Sequence, residues 1–150
     1  MGVDSTAAPT PEPAPNFAVG GHLLETLASG DFAGLGALLE PGATMSALLP
    51  RGFDEWRGRE EICAAFERWF GDVDAFEVVD ASVGQVGARL QLRWRVRVCG
   101  ARFGAGARLV EQHVYADTGP TGRIGALRLL CSGYCGEHSG SRPTSQEVPA

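Results

Sequence analysis

The segment from Leu90 to Val98 alternates apolar and polar side chains without exception. Successive side chains of a strand point to opposite faces, so this pattern predicts a strand with one buried and one exposed face. The apolar set is Leu90, Leu92, Trp94, Val96 and Val98, and the polar set is Gln91, Arg93, Arg95 and Arg97. Three arginines on one face raise the question whether they meet a ligand, a partner or water.

The same period of two recurs through the second half of the chain, where turns rich in glycine separate the apolar stretches. It predicts four strands, over 75–83, 88–99, 107–117 and 124–132. A further strand is predicted at 43–49 after a turn at Pro41-Gly42, and residues 50–59 are predicted to form a loop.

Apolar residues elsewhere in the first half of the chain recur at helical spacing. A first helix is predicted from an Asn16 N-cap to Gly30, and Asp31 is predicted to cap a short second helix. A third helix is predicted from Glu60 until Gly71 ends it. Helices followed by antiparallel strands indicate the α+β class, with a strongly curved, mostly antiparallel sheet folded over the helices.

The chain of 150 residues is long enough for one domain with a sizeable core. Its ends are rich in small and polar residues, which predicts a disordered arm at 1–15, a folded body at 16–136 and a disordered tail at 137–150. The net charge of -5 argues against a nucleic-acid partner. Because no apolar run can span a bilayer and no signal-peptide pattern is present, we expect a cytoplasmic protein without a membrane partner.

A reducing compartment keeps cysteines as free thiols, and this is expected for all four cysteines of the chain. Cys131, Cys135 and His138 match no standard zinc spacing, and a fourth ligand is not evident. We therefore expect neither a metal nor another cofactor.

Three segments, in this order and spacing, resemble the nuclear-transport-factor-2-like superfamily: SGDFAGLGALLEPGAT, WRGREEICAAFERWF and GRIGALRLL. The superfamily includes ketosteroid isomerases, limonene-epoxide hydrolases and SnoaL-like polyketide cyclases, and the chain resembles the last group best in length and helix signature. The resemblance implies a cone-shaped sheet with a pocket at its mouth. It places the arginines of the opening segment outside the cone, with Glu111 within reach, on a charge-paired surface that forms a homodimer.

The resemblance also implies a small-molecule enzyme, a cyclase, isomerase or hydrolase acting by general acid/base catalysis on a hydrophobic, polyketide-like substrate. Such enzymes serve secondary metabolism and antibiotic biosynthesis. The groups that a steroid isomerase needs fall on Leu23, Ala47 and Gln112, which cannot supply that chemistry. An epoxide-hydrolase set is imitated only in part, by Asp54 with Arg51 or Arg57. The alternative is a non-catalytic small-molecule-binding or dimeric interaction module of the same fold.

His113 is the candidate catalytic acid/base, because imidazole titrates near neutral pH and His113 lies in a predicted strand. Alternation places it outside beside Glu111, so it reaches the pocket only if a β-bulge turns it inward. Gln112 faces inward and is the candidate that polarises a substrate oxygen, or else a buried amide bonded to backbone. The expected substrate-binding residues, each of which is otherwise core, are Trp56, Trp69, Trp94, Phe70, Cys131 and Leu23.

Overall fold

The computed structural model of the protein describes residues 17–137. The predicted N-cap Asn16, the predicted arm at 1–15 and residues 138–150 of the predicted tail, which include His138, lie outside the described residues. Within residues 17–137 the α-helices are α1 Phe17–Ala28 and α2 Arg59–Phe70, and two short 3-10 helices span Ala33–Leu38 and Ala101–Phe103. The strands are β1 Leu39–Leu49, β2 Gly52–Arg57, β3 Ala75–Val86, β4 Arg89–Cys99, β5 Arg108–Thr118, β6 Ile124–Cys131 and β7 Cys135–Gly136.

The strands form one sheet in the order β2-β1-β6-β5-β4-β3, with β7 paired to β5. Neighbouring strands are antiparallel except β1 and β6, which are parallel. The sheet curls around the helices without closing, and we call this shape the cone. The predicted α+β class with a curved, mostly antiparallel sheet is confirmed.

The core lies between the inner face of the sheet and the two α-helices. All five apolar residues of the opening segment are fully buried on this face, as their alternation predicts. Each helix contributes a buried stripe, with Val19, Leu23 and Leu27 on α1 and Ile62, Ala65, Phe66 and Phe70 on α2. Burying one large apolar side chain stabilises the fold by about 1.5–3 kcal/mol, so this face provides the main stabilisation.

The four strands of the second half of the chain are confirmed, with bounds that differ from the predicted ones by no more than a few residues. The third helix is also confirmed and begins at Arg59. It ends at Phe70, and the N–H of the following Gly71 donates to Glu67 O. The predicted second helix is a 3-10 helix. Its first turn is closed by Asp31, whose Oδ1 accepts a hydrogen bond of 2.9 Å from Gly34 N–H.

Two predictions for residues 39–59 are wrong. Pro41 and Gly42 do not turn the chain but lie within β1, in the stretch where its pairing with β6 shifts register between Leu39 and Thr44. Proline has no N–H to donate, so it is tolerated where the ladder is interrupted. The predicted loop contains the edge strand β2, which has only Trp56 buried and therefore shows no apolar alternation.

Candidate functional site

The arginines of the opening segment lie on the outer face of the sheet and pair with carboxylates, as expected. The ion pairs are Arg93–Asp80 at 2.8 Å, Arg95–Glu111 at 2.7 Å, Arg97–Glu77 at 3.0 Å and Arg97–Glu137 at 2.7 Å. Glu137, the first residue assigned to the tail, thus packs onto the folded body. These side chains stay partly exposed, so each pair contributes only about 0–1 kcal/mol.

His113 lies on the same outer face, opposite Arg93 on β4. Its Nε2 is 2.6 Å from Glu111 Oε2, and the side chain is 45% exposed. The pairing of β5 is regular at this position, so no bulge turns the imidazole inward. His113 thus lies outside, as its alternation predicts, and the inward turn that its role as catalytic acid/base required is absent. Its hydrogen bond and that of Arg95 hold the pKa of Glu111 below the usual range.

A cavity of about 600 Å³ opens where the end of α2 meets the β1–β2 turn and the segment after β6. Of the residues expected to bind substrate or catalyse, Trp69, Phe70, Gln112 and Cys131 line it. The other lining residues are Leu49, Pro50, Arg51, Arg68, Arg102, Val110, Ser132, Gly133 and Tyr134. The cavity thus combines an apolar and aromatic wall with a polar rim, as small-molecule sites do.

Three residues expected to line the pocket do not line the cavity. Trp94 and Leu23 are core residues, 0% and 2% exposed, because they lie on the inward faces of β4 and α1. Trp56 is buried beneath a separate groove between β1, β2 and β6. Its ring lies edge-on to Trp69 at 5.5 Å between centroids, so it supports the cavity wall from behind.

Gln112 lines the cavity floor, although its surface is fully buried from solvent. Its Oε1 accepts a hydrogen bond of 2.7 Å from Trp94 Nε1, and its Nε2 donates to Cys131 Sγ at 3.4 Å. Gly133 N–H donates to the same sulfur at 3.4 Å. The amide is therefore bonded to side chains rather than to backbone. It orients the half-buried Cys131 thiol, which lines the cavity.

Tyr134 and Arg102 complete the rim of the cavity, and the sequence reasoning missed both. The Tyr134 hydroxyl donates to Trp69 O at 2.6 Å, and Arg102 donates to Tyr134 Oη at 3.2 Å. Arg102 also donates to Arg68 O at 3.0 Å and to Trp69 O. Apolar periodicity would have marked these residues as part of a regular element, but both lie in segments that lack it. Burial raises the pKa of Tyr134, so its phenol is neutral at neutral pH.

The chemistry available in the cavity is limited by its lining. Of the described lining residues, none is a histidine, aspartate or glutamate, and the lining includes the Cys131 thiol and the Tyr134 phenol as proton donors. Asp54, considered for an epoxide-hydrolase set, lies on the exposed strand β2 with Oδ1 accepting from Glu55 N–H, away from the cavity.

Within residues 17–137 no cluster of three or more His, Cys, Asp or Glu side chains is placed to hold a metal ion. No helix in this range is long and apolar enough to cross a membrane.

An unclosed, curled sheet around two helices, with a cavity at one end, defines an α+β protein of the cystatin-like cone type. The sequence model of the family described as SnoaL-like domain matches residues 21–124. The chain belongs to this family, within the nuclear-transport-factor-2-like superfamily. No curated protein matches the sequence.

Solved structures of low sequence identity share the fold. A presumed polyketide cyclase from Xanthomonas campestris pv. campestris is 16% identical, with a TM-score of 0.61, covering 77% of this chain and 89% of that one. Bal32a, from a soil-derived mobile gene cassette, is 22% identical, with a TM-score of 0.63 and coverage of 79% and 90%. An LEH-like epoxide hydrolase of M. tuberculosis is 20% identical, with a TM-score of 0.59 and coverage of 78% and 82%. At these identities the likeness concerns the fold.

Proposed function

We propose that the protein binds a hydrophobic small molecule in the cone cavity. The observation that carries this proposal is the cavity of about 600 Å³, whose walls include Trp69, Phe70 and Val110. Ligand sites in proteins usually enclose about 300–1,000 Å³ and combine an apolar wall with a few polar groups. A flat, polycyclic, polyketide-like molecule fits this description, and the shared fold with a presumed polyketide cyclase supports the same ligand class.

Conversion of the bound molecule, of the cyclase, isomerase or hydrolase type, is the second candidate function. It is favoured by two proton-bearing groups in the cavity, the Cys131 thiol and the Tyr134 phenol. His113 is outside the cavity, and the amide of Gln112 exchanges no proton at neutral pH. General acid/base catalysis in this protein therefore depends on Cys131 or Tyr134.

Binding is tested by thermal unfolding in the presence of 2-acetylnaphthalene, a flat aromatic ketone. A ligand that binds only the folded state raises the melting temperature as its concentration increases. Leu49→Trp places a bulky ring in the cavity and should abolish this rise. Its control is Val86→Trp on the edge strand β3, where the side chain is 57% exposed and does not line the cavity, so binding should persist. An equal response of both variants would refute binding in the cavity.

Catalysis is tested by mass spectrometry of polycyclic polyketones after incubation with the protein. Recovery of every bound compound unchanged supports the binding function alone. Formation of a product that Cys131→Ser or Tyr134→Phe abolishes, while the melting-temperature rise persists, supports the enzymatic function. Product formation that only His113→Ala abolishes would contradict the assignment of the cavity as the active site.

We also propose that the outer sheet face forms a homodimer. Phe53, Leu48 and Leu130 are neighbours in register on β2, β1 and β6, and they are 65%, 52% and 54% exposed. We call these three residues the apolar row. An exposed apolar group beside polar residues is typical of an interface. Beyond Leu130, the row is followed by His113 on β5 and Arg93 on β4, and Arg93 pairs with Asp80. The face therefore carries groups of both charges and can complement a second copy of itself.

A further inference from the structure

The charge of the cavity lining is opposite in sign to that of the whole chain. The chain carries a formal net charge of -5, yet the lining contains Arg51, Arg68 and Arg102 and, among the described residues, no carboxylate. The rim of the cavity is therefore a positively charged region on an acidic protein. Such a region attracts anions and raises their local concentration.

The arginines of the cavity also differ from those of the outer face in what they contact. On the outer face the guanidinium groups of β4 to β6 are paired with carboxylates of the chain, at Arg89, Arg93, Arg95, Arg97 and Arg128. Arg51 and Arg68 make no ion pair and no side-chain hydrogen bond with any residue in 17–137. No described residue thus occupies their donors, which can serve a ligand.

The two arginines reach the cavity from separate elements. Arg51 lies in the β1–β2 turn and Arg68 in the last turn of α2, and both line the same opening. The C-terminal end of a helix would itself disfavour an anion. At α2 this effect is reduced, because the carbonyls of Arg68 and Trp69 already accept hydrogen bonds from Arg102 and, for Trp69, from Tyr134.

We infer that the ligand of the cavity is an aromatic or polycyclic carboxylate. Its rings occupy the apolar part of the cavity against Trp69 and Phe70, and its carboxylate lies at the rim between Arg51 and Arg68. Guanidinium groups suit this role because they present fixed pairs of N–H donors that match the two oxygens of a carboxylate. This inference rests on the proposed binding function and narrows it to one chemical class.

The inference is tested by calorimetric titration with two probes of the same shape, 2-naphthoate and 2-naphthamide. At low ionic strength the wild-type protein should bind the carboxylate about tenfold more tightly than the amide. This preference should shrink with added salt, because ions screen charges at an exposed rim. Equal affinities for the two probes would overturn the inference and leave the proposed function intact. Binding of neither probe would overturn both.

The residues responsible are tested with two double variants of equal net charge. Arg51→Gln/Arg68→Gln should bring the affinity for 2-naphthoate down to that for 2-naphthamide, while the affinity for the amide is unchanged. Arg57→Gln/Arg123→Gln removes two exposed guanidinium groups that do not line the cavity, and it should retain the preference. Loss of the preference in both double variants would show that net charge, rather than the two rim arginines, selects the carboxylate, and would contradict the inference.

Discussion

Gln112 and His113 are adjacent residues of β5 with opposite surroundings. Gln112 has no exposed surface, whereas the His113 side chain is 45% exposed beside Glu111. The pleat of the strand causes this difference, because successive side chains point to opposite faces. The residue with the more useful chemistry thus lies on the surface, and the amide orients the cavity floor. Residue identity alone does not determine which of the two side chains faces the cavity, because the register of the strand determines it.

The hydrogen bond between Gln112 and Trp94 should be essential to the core. Gln112→Leu leaves the Trp94 Nε1–H buried without an acceptor, which should cost about 1–3 kcal/mol in the free energy of unfolding. Adding Trp94→Phe removes that unsatisfied donor, so the double variant should lose less than the sum of the two single variants. Urea denaturation of the four proteins measures this coupling. Strictly additive losses would mean that the hydrogen bond contributes nothing.

The pairing of Glu111 should make part of the stability depend on pH. Hydrogen bonds from His113 and Arg95 lower the pKa of Glu111 in the folded state. The carboxylate therefore stabilises the fold above the unfolded-state pKa of about 4.3, and this contribution is lost as the pH falls through the folded-state value. The difference in unfolding free energy between wild type and Glu111→Gln should be largest near neutral pH and shrink in acid.

Denaturant titrations between pH 7 and pH 3 measure this difference. Glu25→Gln provides the control, because the Glu25 side chain is 81% exposed and its contact with His22 Nδ1 is as long as 3.7 Å. Its difference from wild type should stay small over the whole range. A Glu111→Gln difference that does not change with pH would contradict the assigned role of the carboxylate.

At the scale of elements, a sequence pattern predicts a strand correctly when the strand buries one complete face. β4 has five fully buried residues on one face, so its alternation predicted both the strand and the orientation of the arginines. β2 buries only Trp56 and hydrogen-bonds to one neighbour, so its sequence contains no period that could be recognised. Pro41-Gly42 looks like a turn, but an irregular stretch of β1 accommodates both residues.

Arg102 should stabilise the element junction that forms the cavity rim. It donates to the carbonyls of Arg68 and Trp69 at the end of α2 and to Tyr134, so it joins three segments. Arg102→Gln should lower the free energy of unfolding by about 1 kcal/mol and speed hydrogen exchange after β6. Arg68→Gln also removes an exposed charge, but one without such bonds, and should leave both measurements unchanged. Identical behaviour of the two variants would contradict this role.

At the scale of the whole molecule, the sequence predicts more of the fold than of the site. Local periodicity and the order of the elements determine the cone, and the resemblance to the superfamily rests on the same features. The cavity is instead formed by segments distant in sequence, at Arg51, Trp69, Arg102 and Tyr134. Three of these residues, Arg51, Arg102 and Tyr134, lie outside the α-helices and strands, and the proximity of their segments depends on the curvature of the sheet. No spacing along the chain records that curvature.

The homodimer proposal makes a prediction about the mass of the molecule in solution. Leu130→Arg puts a charge at the end of the apolar row that adjoins His113, which should dissociate the dimer because an unpaired charge is costly in a buried interface. Val86→Arg introduces the same side chain at an exposed site on the edge strand β3 and should remain dimeric. Sedimentation velocity distinguishes the two species. A wild-type protein that sediments as a monomer at every concentration would contradict the proposal.

The central claim is that a small aromatic molecule occupies the cavity between α2, the β1–β2 turn and the segment after β6. The most direct measurement is a titration with 2-naphthoate followed by two-dimensional ¹H–¹⁵N NMR of the wild-type protein. The account predicts saturable shifts of the backbone amides of Arg51, Phe70 and Gly133 and of the Trp69 indole N–H, with the outer face unchanged. Saturable shifts confined to the outer face, or none at millimolar probe, would contradict it.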